Sequence, residues 1–304
     1  MASEVTPASQ PARLVSIDGV TVRADTAYTD SSGRERNDLR ERVECAVQSL
    51  REALGRVLEP GETVLFAARA DVRPGVLEQL TAGYYIRFYS RVTLVLTNTR
   101  LLCFFVNRAG GWLRSLRVVR WGDLDKAKIA LGINQTLELR FRSGKSERFW
   151  RLKRADAKKV MLLLPALVAE GGGGGSPGAE WSALCPGCLA ALTPGEDRCA
   201  RCGITFKSEG TLRRWALWMP GGGYFYAGQP AAGVIHFLAE AYLIGLTLWG
   251  LYSWRNPPAS PNGAPGDPAT YLILAVFFGA LLALEKWSTL HQCRRLISYF
   301  IPEK

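Results

Sequence analysis

Two long apolar runs stand out from a mixed pattern of hydrophobic and polar positions, and both lie in the last third of the 304-residue chain. Between Gly233 and Trp254 only His236 and Glu240 can titrate, and at a rise of about 1.5 Å per residue the run is long enough to cross the hydrocarbon core of a bilayer. Ala269 to Leu284 carries no charge, and a snorkelling Lys286 with Trp287 completes a second span. The pattern predicts transmembrane helices over 231–254 and 269–287, joined by a loop over 255–268 rich in Pro, Gly and Asn. A soluble helical hairpin buried in a core is the alternative. Arg213 and Arg214 precede the first run, and Arg294 and Arg295 follow the second. Positive-inside bias then places both termini, with a tail over 288–304, in the cytoplasm and the short loop outside. Met1 to Gln10 is polar, so no signal peptide is expected.

Upstream the period changes. Residues 1–57 open with a tail containing Pro7 and Pro11. A strand pair across Leu14–Arg23 follows, turning at Asp18-Gly19. From Arg36 to Val57, Leu39, Val43, Ala46, Val47, Leu50, Leu54 and Val57 recur at threes and fours, which predicts an amphipathic helix. Packing on the next domain is preferred for it over a coiled-coil dimer, because the pattern lasts only about three heptads. Residues 58–168 read as strands: Glu62–Ala68, Tyr84–Tyr89, Val92–Leu96, Leu101–Val106, Leu113–Val119, Thr136–Arg142 and Glu147–Leu152, before a helix over Ala155–Val168. Seven short antiparallel strands and a capping helix predict a small β-barrel or sandwich. Gly171 to Gly175 sits inside a linker over 169–180, a flexible joint by composition. The fold class expected is multi-domain: a mainly β barrel with a C-terminal helix, a small zinc ribbon, and a C-terminal α-helical transmembrane hairpin.

Charge sharpens this picture. The net +11 is concentrated in residues 61–168, which alone carry +12. A basic cytosolic module tethered beside an inner leaflet is drawn to anionic head groups by about 1 kcal/mol per nearby Lys or Arg. The bland alternative is a solvated face. Lys145, Arg148, Arg151, Lys153 and Arg154, near the last hairpin and the start of its helix, are the candidate lipid-binding rim. Phe141, Phe149 and Trp150 interleave with them, a pattern that also serves nucleic acid. That reading ranks lower, since alternation that turns Phe149 outward turns Trp150 inward.

After the linker, Cys185 and Cys188 (CPGC) are followed ten residues later by Cys199 and Cys202 (CARCG). Two Cys-x-x-Cys turns aim four thiolates at one tetrahedral Zn²⁺, a closed and therefore structural site within 181–207. Disulfides are disfavoured in a reducing compartment, and an iron–sulfur or redox dithiol reading ranks below zinc. The other cysteines, Cys45, Cys103 and Cys293, have no matched spacing and are expected to be buried thiols. Residues 211–230 form the expected membrane interface, with Arg213, Arg214, Trp215 and Trp218 at head-group depth, then a turn at Pro220, Gly221 and Gly223 and on through Tyr226 and Gly228. His236 and Glu240, four apart, share a helix face, and antiparallel geometry brings Glu285 and Lys286 to similar depth. Glu240 with Lys286 is the preferred pair, a hairpin clasp; a proton or ion pathway through His236 and Glu240 is the sharper alternative.

Three resemblances rest on these residues. The phrases LEPGETVLFAARADV (Leu58 to Val72), LVLTNTRLLCF (Leu94 to Phe104) and VVRWGDLDKAKI (Val118 to Ile129), with SGKSERFW before the helix, resemble bacterial pleckstrin-homology-like (PH-like) and GRAM-like domains. That resemblance implies a binding or adaptor role toward lipid head groups or protein segments. The two cysteine knuckles resemble short zinc ribbons. Pro220 to Gly228 resembles the P-G-x-G-x-x-Y-x-G motif opening TM2-like bacterial membrane hairpins, which implies an interfacial turn entering the inner membrane.

With two histidines in the whole chain and no Ser, Cys or carboxylate constellation at a recognisable spacing, no enzyme is expected. The expected function is a membrane-anchored adaptor, binding anionic lipid or an unidentified membrane or cytosolic protein. The other readings are an accessory or pore-forming transport subunit, with a homo-oligomer compatible, and a membrane-tethered nucleic-acid binder.

Overall fold

The computed structural model describes residues 12–73, 91–107, 109–132, 134–171, 180–259 and 266–303. The expected strand at Tyr84–Tyr89, the N-terminal tail to residue 11, most of the glycine linker and the middle of the 255–268 loop lie outside them. The described chain divides between Leu192 and Thr193 into two compact units, one of residues 12–73 and 91–192 and one of residues 193–303.

The first unit is built on an antiparallel sheet. β1 (Leu14–Ile17) and β2 (Val20–Arg23) form the expected hairpin, with Asp18 and Gly19 at φ 49° and 84°. β2 then runs parallel to β3 (Val64–Val72), pairing Val22 with Val64. Between them come α1 (Ala24–Ala27), α2 (Asn37–Ser49) and α3 (Arg51–Val57). The single helix expected over 36–57 breaks at Leu50, whose φ of −111° and ψ of 7° leave the helical region. Its apolar face survives the break: Leu39, Val43, Val47, Leu50 and Leu54 are buried, and α2 packs on β3.

The remaining strands are β4 (Arg91–Thr97), β5 (Arg100–Val106), β6 (Trp112–Arg120), β7 (Leu124–Ala130), β8 (Gln135–Phe141) and β9 (Ser146–Leu152), followed by α4 (Arg154–Gly171). β10 (Ser182–Leu184) and β11 (Ala191–Leu192) come from the ribbon. The ladder runs β11-β10-β6-β5-β4-β3-β9-β8-β7. The sheet is open, which corrects the expected closure into a barrel. The physical reason lies at β6: its outer edge is taken by β10, so among the described residues no ladder joins β6 to β7. β7 had no strand signal because Asp125, Lys126 and Lys128 crowd it and a register shift between Leu124 and Lys126 breaks its alternation. Val160, Leu164 and Leu167 of α4 are buried, and the helix packs on β7.

The second unit is helical: α5 (Glu209–Trp218), α6 (Gly222–Ala227), α7 (Pro230–Arg255) and α8 (Pro268–Ile297). α7 and α8, of 26 and 30 residues, are long and apolar enough to cross a membrane. Only 17% and 6% of their most apolar stretches are buried, so neither has the packed surroundings of a soluble core helix, and their outward faces suit an apolar medium. Where they meet, small residues allow close approach: a Cβ on Gly250 would lie 3.0 Å from that of Ala275. α8 runs ten residues past the expected end at 287, so 288–297 is helix rather than tail. Glu285 and Lys286 do not end it because each has a partner on α7, and beyond them Ser288, Thr289, Gln292, Cys293 and Leu296 are buried.

Candidate metal centre and buried ion pairs

The two cysteine knuckles are built alike from the backbone. Leu189 N donates to Cys185 O at 2.9 Å and Cys185 N to Ala190 O at 2.9 Å; Gly203 N donates to Cys199 O at 2.9 Å and Cys199 N to Ile204 O at 2.8 Å. Each turn closes on a residue in the left-handed region, Leu189 at φ 59° and Gly203 at φ 75°. The Sγ atoms of Cys185, Cys188, Cys199 and Cys202 all lie within 4.8 Å of one another. A tetrahedral Zn²⁺ with Zn–S bonds of about 2.3 Å sets its sulfurs about 3.8 Å apart, so the four thiols fit a metal ion and fill its four positions. Of the remaining cysteines, Cys103 and Cys293 are buried, whereas Cys45 is exposed, correcting the expectation for that residue. Burial pushes the Cys103 thiol up to about 12, which leaves it protonated and inert at neutral pH.

The first knuckle is seated on the sheet. Arg56 of α3 donates to the Pro186 carbonyl at 2.9 Å and also to that of Gly187. Ahead of it β10 pairs with β6, and Trp181 stacks edge-on against Phe141 and Phe149. Phe149 is therefore fully buried and Trp150 half-buried, the reverse of the expected alternation. Sequence reasoning overlooked Trp181, which follows the linker without any periodic context. In the second unit, Lys207 N donates to Ile301 O at 3.1 Å and Glu303 N to Thr205 O at 3.0 Å, tying the segment after the second knuckle to the residues beyond α8.

The basic rim is exposed, yet much of its charge is balanced. Lys145 pairs with Glu180 at 2.8 Å, Arg148 with Glu138 at 3.0 Å and Arg151 with Asp71 at 3.6 Å. Lys153 and Arg154, at the start of α4, are exposed. The Leu-Thr-Asn-x-Arg-Leu-Leu phrase has a role that its residues alone did not reveal. Arg100 reaches back to Glu62 at 2.8 Å, to Glu59 at 3.0 Å and to the Val57 carbonyl at 2.7 Å, while Trp121 Nε1 donates to Thr97 O at 3.0 Å. Burial alone would raise the Glu62 carboxyl; Arg100 and Thr97 outweigh it and hold the group below its ordinary value.

In the helical unit Ser208 caps α5, accepting from Thr211 N at 3.2 Å. Arg213 and Arg214 are exposed, as are Trp215 at 42% and Trp218 at 89%. Pro220 then turns the chain into three glycines, each touching a different helix. A Cβ on Gly221 (φ 64°) would strike Gly233 O of α7, one on Gly222 the Trp215 carbonyl of α5, and one on Gly223 would sit 2.9 Å from Thr289 Cγ2 of α8. Tyr226 OH accepts from Ser208 N at 2.8 Å and donates to Glu303 at 2.9 Å. Gly228, at φ 84°, ends α6.

Below this turn His236, Glu240, Glu285 and Lys286 meet as two pairs. Glu240, fully buried, lies 2.6 Å from Lys286 Nζ, which also donates to Ala216 O at 2.6 Å and Met219 O at 3.3 Å. Gly221 N donates to Glu240 Oε2 at 3.1 Å. His236 Nδ1 meets Glu285, and the His236 ring stacks on Tyr224 at 4.3 Å. Tyr224 OH in turn reaches Gln292 Oε1. Ser288, Thr289 and Gln292 were missed because scattered polar side chains just past an apolar run carry little sequence signal, and Tyr224 because its partners His236 and Gln292 lie on other helices.

No protein-family profile matches the chain, and no curated protein matches it. Among solved structures, the C-terminal domain of an unknown protein from Leishmania infantum is similar over 41% of this chain and 93% of that one, at 11% identity and a TM-score of 0.26. A likeness that low carries no argument about fold or function.

Proposed function

We propose that this protein is a non-enzymatic, membrane-anchored adaptor whose basic sheet domain and structural zinc ribbon work at the cytoplasmic face of a bacterial inner membrane, engaging anionic lipid head groups and, through them, a membrane complex. The observation that carries the reading is the placement of charge: +12 over residues 61–168, in a chain that also holds two membrane-length helices. A PH-like assignment of the sheet is supported by the run of seven strands from β3 to β9 closed by α4. Lys153 and Arg154 supply the contact, being the rim residues at the exposed start of α4; screening governs such an interaction, so it weakens with salt. The zinc ion stiffens the ribbon and takes no part in chemistry. In the membrane, Pro220 to Gly228 is a TM2-like entry turn, and the Glu240–Lys286 pair is a clasp rather than a conduit, since Lys286 is also bound to two carbonyls.

Flotation tests the lipid contact. A soluble fragment ending at Lys207 is expected to float with phosphatidylcholine vesicles containing phosphatidylglycerol and not with phosphatidylcholine alone, and the double change Lys153→Glu, Arg154→Glu should abolish it. Equal flotation on both vesicles, or on neither, refutes lipid recognition. Elemental analysis of the purified chain should find one zinc per protein, lost in Cys188→Ser, Cys202→Ser.

A further inference from the structure

The segment between the linker and the first cysteine makes more contacts than a spacer requires. Three residues, Ser182, Ala183 and Leu184, add an antiparallel strand to β6, opposite Val118, Arg117 and Leu116. Just before them, the Trp181 ring lies edge-on to Phe141 at 6.0 Å and to Phe149 at 6.1 Å, and beneath the Arg117 guanidinium at 5.0 Å. Arg117 is in turn held over Phe105 at 5.1 Å and paired with Glu147 at 2.9 Å. Glu180, one residue earlier, pairs with Lys145 at 2.8 Å. This is recognition of an extended segment by an exposed sheet edge: backbone pairing gives affinity, and a side-chain pocket gives selectivity.

We infer that the β6 edge, with Phe141, Phe149, Arg117 and Lys145, is a docking groove for an extended protein segment carrying an acidic residue directly before a tryptophan, and that Glu180–Leu184 occupies it as an internal, displaceable occupant. Two features favour displacement. The paired strand is only three residues long, and the buried Trp181 Nε1 has no hydrogen-bond partner among the described residues. A buried indole N–H ordinarily finds an acceptor, so a partner segment that supplies one binds the same pocket better. The internal segment belongs to the same chain as the groove, and a tethered segment presents itself at an effective concentration on the order of millimolar. A free segment must compete against that. The groove shares Lys145 with the basic rim, but Lys153 and Arg154, which supply the proposed lipid contact, are not part of it.

The test uses the full chain in mild detergent and a labelled synthetic peptide of residues 178–186 with serine replacing the cysteine. Trp181→Ala vacates the pocket, and Ser182→Pro prevents the strand from pairing with β6. Each variant is expected to bind the peptide about tenfold or more tightly than the parent, the internal competitor having been removed; a peptide with alanine for its tryptophan should bind none of them. In the parent, millimolar peptide should speed hydrogen exchange at Ser182–Leu184. Equal binding by parent and variants, no binding by any, or unchanged exchange in the parent overturns the inference. Flotation on anionic vesicles is unaffected by either result, so the two proposals fail independently.

Discussion

Each unit buries a glutamate whose side chain is fully sequestered beside a basic partner, and the two are solvated in opposite ways. Glu62 in the sheet unit receives five donors: Thr97, Thr99 and Arg100 Nε at 2.6, 2.9 and 3.0 Å on Oε1, and Glu59 N and an Arg100 terminal nitrogen at 2.9 and 2.8 Å on Oε2. Glu240 in the hairpin receives Lys286 and Gly221 N on Oε2, while its Oε1 has no partner among the described residues. A buried charge is tolerated only when its lost hydration is replaced. In the sheet unit one tight turn and its flanking strands replace it almost completely. In the hairpin the replacement rests on one lysine and one glycine N–H, so the helical unit depends much more heavily on a single residue.

The sharpest way to break that contrast is Lys286→Met, which leaves Glu240 with one backbone donor. It is expected to cost about 3–5 kcal/mol, measured by thermal unfolding in detergent, with Glu240→Gln in the same chain recovering most of the loss. A neutral single variant would show that the clasp does not hold the hairpin together. Arg100→Met should cost less, about 2–3 kcal/mol, because Thr97, Thr99 and Glu59 still serve Glu62. The same site sets a pH dependence. Since the folded Glu62 carboxyl lies below its ordinary value, its stabilising contribution is complete above about pH 4.3, the unfolded value, and is lost as pH falls through the depressed folded value. Glu62→Gln should therefore flatten the acid limb of a stability profile. If the parent and the variant lose stability in parallel below pH 4, the network is not the acid-sensitive element.

Smaller changes sharpen the comparison at the backbone. Gly223→Ala brings a methyl within 2.9 Å of Thr289 Cγ2 and 3.3 Å of Cys293 Sγ, and should destabilise by about 1–3 kcal/mol, with Thr289→Ser offsetting part of it. Leu189→Gly removes the strain of a non-glycine residue at φ 59° and should stabilise the first knuckle by about 1 kcal/mol; chelator titration of the zinc-loaded protein would register it as slower metal loss.

What could be read from sequence was what contiguous residues encode. The apolar runs and the Cys-x-x-Cys spacing are local, so α7, α8 and the four-thiol cluster were foreseen, as were most strands. Contacts spanning the chain were not: Glu62 and Arg100 are 38 residues apart, and nothing in either neighbourhood marks them as partners. The open sheet was hidden for the same reason, because β10 reaches β6 from beyond the linker. β7 lacked apolar alternation. The extra turns of α8 were obscured by charges that look like a helix end until their partners on α7 are known. The glycine triplet was recognised as a turn, but the close contacts that require glycine there are tertiary, with Gly233 of α7, Trp215 of α5 and, far along the chain, Thr289 of α8.

The bonds from Thr205 and Lys207 to Ile301 and Glu303 also impose an order on biogenesis. Translation adds residues 301–303 only after α7 and α8 have been synthesised, so the partners of Thr205 and Lys207 arrive last. The backbone pairing that follows the second knuckle is therefore among the last to close, after α7 and α8 have been made.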